Sequence, residues 1–176
     1  MKMAKKLLAV VLAGVLAVSL LTGCGGAVST KAIAEAMSDK SIAEAMSDRS
    51  KGKGVIYEEK PELNEKAGLI AEEFRRRAKN DSGNKTDIYR EIMKIMGDDY
   101  DDKYIWIAVT TTEGGNVRMQ ASNLLEDVDE YSNINSKVAD DTSPADDRSI
   151  GTVPTTMNGV DCLFAVITAD AVQGKV

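Results

Sequence analysis

Apolar positions along this chain recur with several different spacings, and each spacing predicts a different element. Leu7 to Leu20 is apolar almost throughout, with one Gly and one Ser, and it follows a basic start at Lys2, Lys5 and Lys6. At 14 residues the run is short for a membrane-spanning helix, which needs about 20 apolar residues, and it suits the apolar stretch of a signal peptide. A nearly exact unit then occurs twice, Ile33 to Lys40 and Ile42 to Arg49. Ile33, Ala36 and Met37 share one helical face. The second copy is offset by nine residues, about half a turn out of phase, so one straight helix cannot bury both copies against one surface. Residues 24–54 therefore read as a spacer, helical in pieces, with a Gly- and Lys-rich end at Ser50 to Gly54. A short partner-binding helix is the alternative.

From residue 55 the pattern is that of a domain. Leu63, Ala67, Ile70, Phe74 and Ala78 form one stripe at three- and four-residue spacing, which predicts a helix from Pro61 to Lys79 with Pro61 in its first turn. Glu72, Glu73, Arg75, Arg76 and Arg77 lie mostly on the wet side. The three arginines suit a phosphate or carboxylate; a solvated face with Glu72–Arg76 and Glu73–Arg77 pairs is the plainer reading. Asn80 to Asn84 is turn-rich. A second helix follows from a cap at Thr86 or Asp87, lined by Ile88, Ile92 and Ile95 with Tyr89, Met93 and Met96, and stopped at Gly97.

Tyr104 to Thr110 is rich in β-branched and aromatic residues and predicts a strand apolar on both faces, hence covered on both. Glu113-Gly114-Gly115-Asn116 predicts a hairpin turn, with Val117 to Ala121 as the return strand. Ser122 is placed to cap a third helix bearing Leu124, Leu125, Val128 and Tyr131. Residues 135–148, polar and Asp-rich with Pro144, read as an exposed loop. A second hairpin runs from Ile150 to Thr156, turns at Asn158-Gly159 and returns over Val160 to Thr168, again apolar on both faces. Residues 171–176 are a tail. The sum is an α+β domain over residues 55–170: about three helices on a mostly antiparallel sheet of about four strands, with a three-layer sandwich as one arrangement that covers both sheet faces.

Charge narrows the partners. The chain carries 28 acidic and 22 basic residues, a net charge of −6. Loss of a leader with its three lysines would take it to −9. Such a surface argues against nucleic acid and against adhesion to anionic headgroups by charge alone. The chain has no histidine. That removes the usual neutral-pH general base, the Ser-His-Asp triad, the Cys-His pair and imidazole metal sites, and no catalytic set or cofactor is expected. Asp98, Asp99, Asp101 and Asp102 are hard oxygen ligands that would suit Ca²⁺. The calcium-loop pattern fails, however, lacking Gly at its sixth and Glu at its twelfth position, so an acidic helix–strand connection is the reading.

Two resemblances add to this. The basic start, the apolar run and the ending Leu21-Thr22-Gly23-Cys24 resemble the type II signal peptide and lipobox of bacterial lipoproteins. The resemblance implies cleavage of residues 1–23 between Gly23 and Cys24, a diacylglycerol on the Cys24 sulfur, and a further acyl chain such as palmitate on the new amine. Two or three chains, at roughly 0.8 kcal/mol per buried methylene, anchor a protein where one binds only reversibly. The protein would then sit on the extracytoplasmic face of the cell membrane, or of an outer membrane if the cell has one. With Cys24 a thioether, Cys162 has no partner for an intrachain disulfide; in its apolar run it reads as a small buried hydrophobe. Second, Lys60-Pro61-Glu62-Leu63-Asn64 and the segment from Ile150-Gly151-Thr152 to Asn158-Gly159 resemble the first helix and final hairpin of the CAP superfamily (cysteine-rich secretory, antigen 5 and pathogenesis-related proteins). That implies a three-layer sandwich. The family's two cavity histidines have no counterpart here, so no metal or histidine-based activity carries over.

Three functions follow as expectations. The first is a tethered module that binds a protein or glycan of the envelope. The second is an enzyme that uses two carboxyls roughly 5–9 Å apart across a groove. The third is a structural subunit of an envelope complex.

Overall fold

The computed structural model describes residues 28–39, 41–42, 54–80, 85–113, 115–130 and 133–173. The leader, Gly23, Cys24, most of the second repeat copy, residues 81–84, Gly114, Tyr131 and residues 174–176 lie outside the described residues. The elements, in chain order, are α1 (Thr30–Met37), β1 (Ile56–Glu59), α2 (Pro61–Asn80), α3 (Lys85–Met96), β2 (Lys103–Thr111), α4 (Val117–Glu130), β3 (Thr142–Met157) and β4 (Val160–Gln173). The fold is α+β, with four helices among the described residues and a four-stranded mixed sheet in the order β1-β3-β4-β2. β1 runs parallel to β3, while the β3–β4 and β2–β4 pairs are antiparallel.

β4 is the centre of the domain, and its alternation organises two cores. Leu163, Ala165, Ile167 and Ala169 face Ile33, Ala34 and Met37 of α1, and Ala121, Leu124 and Val128 of α4. Phe164 and Val166 face Leu63, Ala67 and Ile70 of α2, and Ile92 and Met96 of α3. A strand apolar on both faces is stable only with helices on both sides, and β2 shows the same division, with Trp106 and Ala108 on the first face and Ile105 on the second. The Asn-Gly turn joins β3 and β4 with positive φ at Asn158 (52°) and Gly159 (83°), the geometry such hairpins prefer.

Several expectations are corrected. Val117 to Ala121 is not a return strand but the first part of α4. Five alternating residues do not separate a period of 2 from one of 3.6, and Val117, Ala121, Leu124 and Val128 form one helical stripe. Asn116, read as a turn residue, is the helix cap: its Oδ1 accepts from Met119 N at 3.0 Å. The fourth strand is instead β1, only four residues long with Tyr57 alone buried, too short to leave a pattern. Nor are residues 135–148 an exposed loop throughout. Asn135 is buried, where its Nδ2 donates to the carbonyls of Tyr100, Asp101 and Lys103, and β3 already begins at Thr142. β4 continues to Gln173, past the expected start of the tail, and Lys103 pairs with Asp170 beside it. Tyr89 is exposed instead of lining its helix's apolar side.

The largest correction concerns the first repeat copy. Thr30–Met37 is no part of a spacer: Ile33 and Met37 are fully buried. Ser29 caps α1 by accepting from Ala32 N. At the other end, Ser38 Oγ donates to Ala34 O and accepts from Tyr57 N, both at 2.8 Å, tying α1 to β1. The half-turn phase problem is solved by stopping the helix. The chain turns at Ser38 and Asp39, Asp39 Oδ1 accepts from Ser41 N, and Ile42 of the second copy is buried as well.

α2 is held on the sheet by a buried polar junction. Asn64 Oδ1 accepts from Thr152 N at 2.8 Å and from Thr30 Oγ1 at 3.1 Å, and the Thr30 and Thr152 hydroxyls lie 2.7 Å apart. Next to it, a Cβ on Gly151 would overlap the Leu63 carbonyl carbon and the Asn64 nitrogen. Two outcomes test this architecture by urea denaturation. Ile33→Ala costs about 2–5 kcal/mol, as in a well-packed core, whereas a spacer position would cost almost nothing. Gly151→Ala, forced against backbone, costs about 3 kcal/mol or more.

A candidate binding cleft at the hairpin end

At the end of the sheet that carries the β3–β4 turn, a cleft of about 700 Å³ opens on the α1/α4 side. Its lining includes Pro154, Leu163, Thr112, Gly115 and Val28, together with Gln120 from the first turn of α4. Thr112 fastens the β2 end to the hairpin: its N–H and its hydroxyl both reach Asp161 O, at 2.9 and 3.1 Å. The charged residues of the lining are Glu113 and Asp161, both acidic. Asp161 Oδ1 accepts from Thr156 Oγ1 at 2.8 Å, which fixes that carboxylate.

Gln120 is the unusual residue. It is only 3% exposed. Its Nε2 donates to Gly115 O at 3.4 Å, and this sets the amide orientation, because a carbonyl can only accept. Its Oε1 has no partner. An unpaired buried acceptor costs about 1–3 kcal/mol, and this one is closed off from solvent beside the cleft.

Cys162 is buried, as expected; the residue borders this cleft, but in the alternation of β4 its side chain lies on the α2/α3 face, and its thiol donates weakly to Val160 O at 3.5 Å. On the opposite side of the hairpin turn, a groove of about 850 Å³ runs between the turn and α2, lined by Phe74, Arg75, Arg76 and Met157 among others. The three arginines are engaged along their own helix, with partners partly different from those expected: Glu73 takes both Arg76 and Arg77 at 2.6 Å, and Arg75 lies 3.9 Å from Glu72. The four aspartates do not come together. Asp98 and Asp99 lie exposed on a single 3-10 turn, Asp102 is exposed, and Asp101 pairs with Lys137 at 2.6 Å. Among the described residues no group of three or more acids or cysteines converges as a metal site.

No protein-family model, curated protein or solved structure matches the chain.

At the far end of the same sheet face, Arg148 lies over Trp106 at 4.9 Å from the ring centroid and over Tyr57 at 5.7 Å, with Nη1 donating to Tyr57 OH; Tyr104 stacks on Trp106. These contacts join β1, β2 and β3 across the sheet and fasten the end away from the cleft. Lys66 closes α3: its Nζ donates to the last carbonyls, Ile95 O and Met96 O, where a cation suits the helix dipole. Neither residue stood out in the sequence, because lone cations carry no pattern.

The two arginine hydrogen bonds hold the Glu73 carboxyl down at about 2 from an ordinary 4.5. A depressed carboxylate pKa stabilises the folded state above the unfolded-state value, and that contribution is lost as pH falls toward the folded one. Stability should therefore drop between pH 4.5 and pH 2, and Glu73→Gln should flatten that part of a urea-denaturation series against pH.

Proposed function

We propose that this chain is a lipid-anchored extracytoplasmic lipoprotein whose domain is a binding module of the cell envelope, with the hairpin-end cleft as its ligand site. What supports the binding part is the cleft itself, about 700 Å³, with the Glu113 and Asp161 carboxylates among its lining residues. The anchor rests on Leu21-Thr22-Gly23-Cys24 behind a basic and apolar leader. The cleft chemistry is that of recognition, since apolar Val28, Pro154 and Leu163 lie beside two acidic residues. A carboxylate-based enzyme is the second reading, favoured by one observation, that Glu113 and Asp161 line the same cleft. Against it, Asp161 is already engaged by Thr156.

We also propose a distant relation to the CAP superfamily. What supports it is that the two resembling segments pack together, Lys60 N donating to Ile150 O at 3.0 Å and Asn64 Oδ1 accepting from Thr152 N, in a sheet covered by helices on both faces.

The anchor is tested by Cys24→Ser in the producing cell. The variant should lose fatty-acid labelling and keep its leader. A variant processed at the same bond and still acylated would overturn the lipoprotein reading. For the module, Glu113→Gln with Asp161→Asn separates the two functions, since an enzyme of the second kind would lose all turnover of envelope glycan.

A further inference from the structure

Almost every residue by which α1 meets the domain recurs nine positions later in the chain. Ser29, whose Oγ caps α1, corresponds to Ser38. Ile33, Ala34 and Met37, buried against β4 and α4, correspond to Ile42, Ala43 and Met46. Partly buried Val28 and Ala36 correspond to Met37 and Ala45. Ser38, whose Oγ accepts from Tyr57 N at 2.8 Å, corresponds to Ser47. Even the exposed Lys31 and Glu35 recur, as Lys40 and Glu44. The buried residue that differs is Thr30, which corresponds to Asp39. The Thr30 hydroxyl donates to Asn64 Oδ1 and meets the Thr152 hydroxyl. A carboxylate in that place would set an acceptor against Asn64 Oδ1, which Thr152 N already holds as an acceptor. Ile42 is also buried in the present register, and a shift of nine would put Lys51 in its place. Both differences make the first copy the ground-state occupant.

We propose that the two copies are alternative occupants of one seat, and that a slip of nine residues brings residues 39–46 into the place of Thr30–Met37. Slips of one packed element past another are an established form of two-state change. The connections allow it. Ser47 would stand beside Tyr57, and residues 48–54, with Gly52 and Gly54 among them, make a connection of ordinary length to Val55. The Asp39 carboxylate keeps the second register minor until something draws on the first. A pull on the amino-terminal side acts along the slip. Resting on the anchor reading, the slip lengthens the tether from Cys24 by nine residues, about 30 Å when extended, while the α1/α4 face of the sheet stays covered.

Disulfide trapping reads the register in the full acylated chain. The Thr30 and Thr152 hydroxyls are 2.7 Å apart, so the pair Asp39→Cys and Thr152→Cys is placed to bond in the slipped register. In the ground register residue 39 lies past the far end of α1, an eight-residue helix about 12 Å long, out of disulfide reach. Ile33→Asp disables the first copy. Against the same pair with Ile33 intact, it is expected to raise the 39–152 disulfide at least about fivefold in a fixed glutathione buffer, measured by non-reducing peptide mapping. Ile33→Ala, a milder lesion, should raise it in the same direction, and it decides the matter if the Ile33→Asp chain does not fold. Adding Met46→Asp, which disables the second copy, should abolish the gain. No gain from either lesion, or one that survives Met46→Asp, overturns the proposal. A second variant works through stability alone. Asp39→Thr supplies the missing hydroxyl and should raise the thermal midpoint of the Ile33→Ala chain by about 5 °C, but not that of the unaltered chain; equal shifts in both overturn the slip. The same map reads Cys24: an unmodified Cys24 overturns the anchor reading and leaves the slip standing.

Discussion

Leu63 and Asn64, at the start of α2, pass so close over β3 that no side chain fits at Gly151. The contact brings two backbones together, and it places the Asn64 amide where it replaces a missing strand partner for Thr152 N. β3 has β1 beside it only from Asp147 to Ile150. Beyond that point its outer edge would present unpaired backbone groups, which a buried edge cannot tolerate. Asn64 meets that need, and Thr30 joins the same junction from α1. The α1 and α2 layers are thereby registered against one strand on opposite sides of the sheet, and the ridges of both helices fall onto alternate residues of β4.

The other edge is finished with side chains in the same way. β2 has β4 on one side only. Its outer groups are met by Asn133, which accepts from Ile105 N, by Ile134 N donating to Ile105 O, and by Asp127, which accepts from Val109 N. Asn135 then holds the 133–137 segment to the carbonyls ahead of β2. Polar residues that make a stretch read as solvated loop are here ligands for backbone. Among the described residues two buried side-chain polar atoms are left without a partner, Arg148 Nε at one end of the sheet and Gln120 Oε1 at the hairpin end.

That end is also where the described chain begins. Val28, the first described residue, packs against the α1/α4 core and lines the cleft.

What the sequence by itself determined was whatever depends on local chemistry or on a long, regular period. The Asn158-Gly159 turn, the Pro61 and Gly97 helix boundaries, the two doubly apolar strands and the burial of Cys162 all belong there, because backbone geometry and a full apolar stripe act within a few residues. The leader pattern is equally local. Tertiary structure decided what short segments could not declare. Val117 to Ala121 became helix once Leu124 and Val128 extended its stripe onto the sheet. Four residues at β1 became a strand only because β3 offers an edge, and Ile33 to Met37 became core only because α4 and β4 leave a place for them. The cleft belongs to the same class. Gln120, Asp161 and Val28 are far apart in the chain, each unremarked alone, and an acceptor without a donor exists only once packing has excluded water from around it.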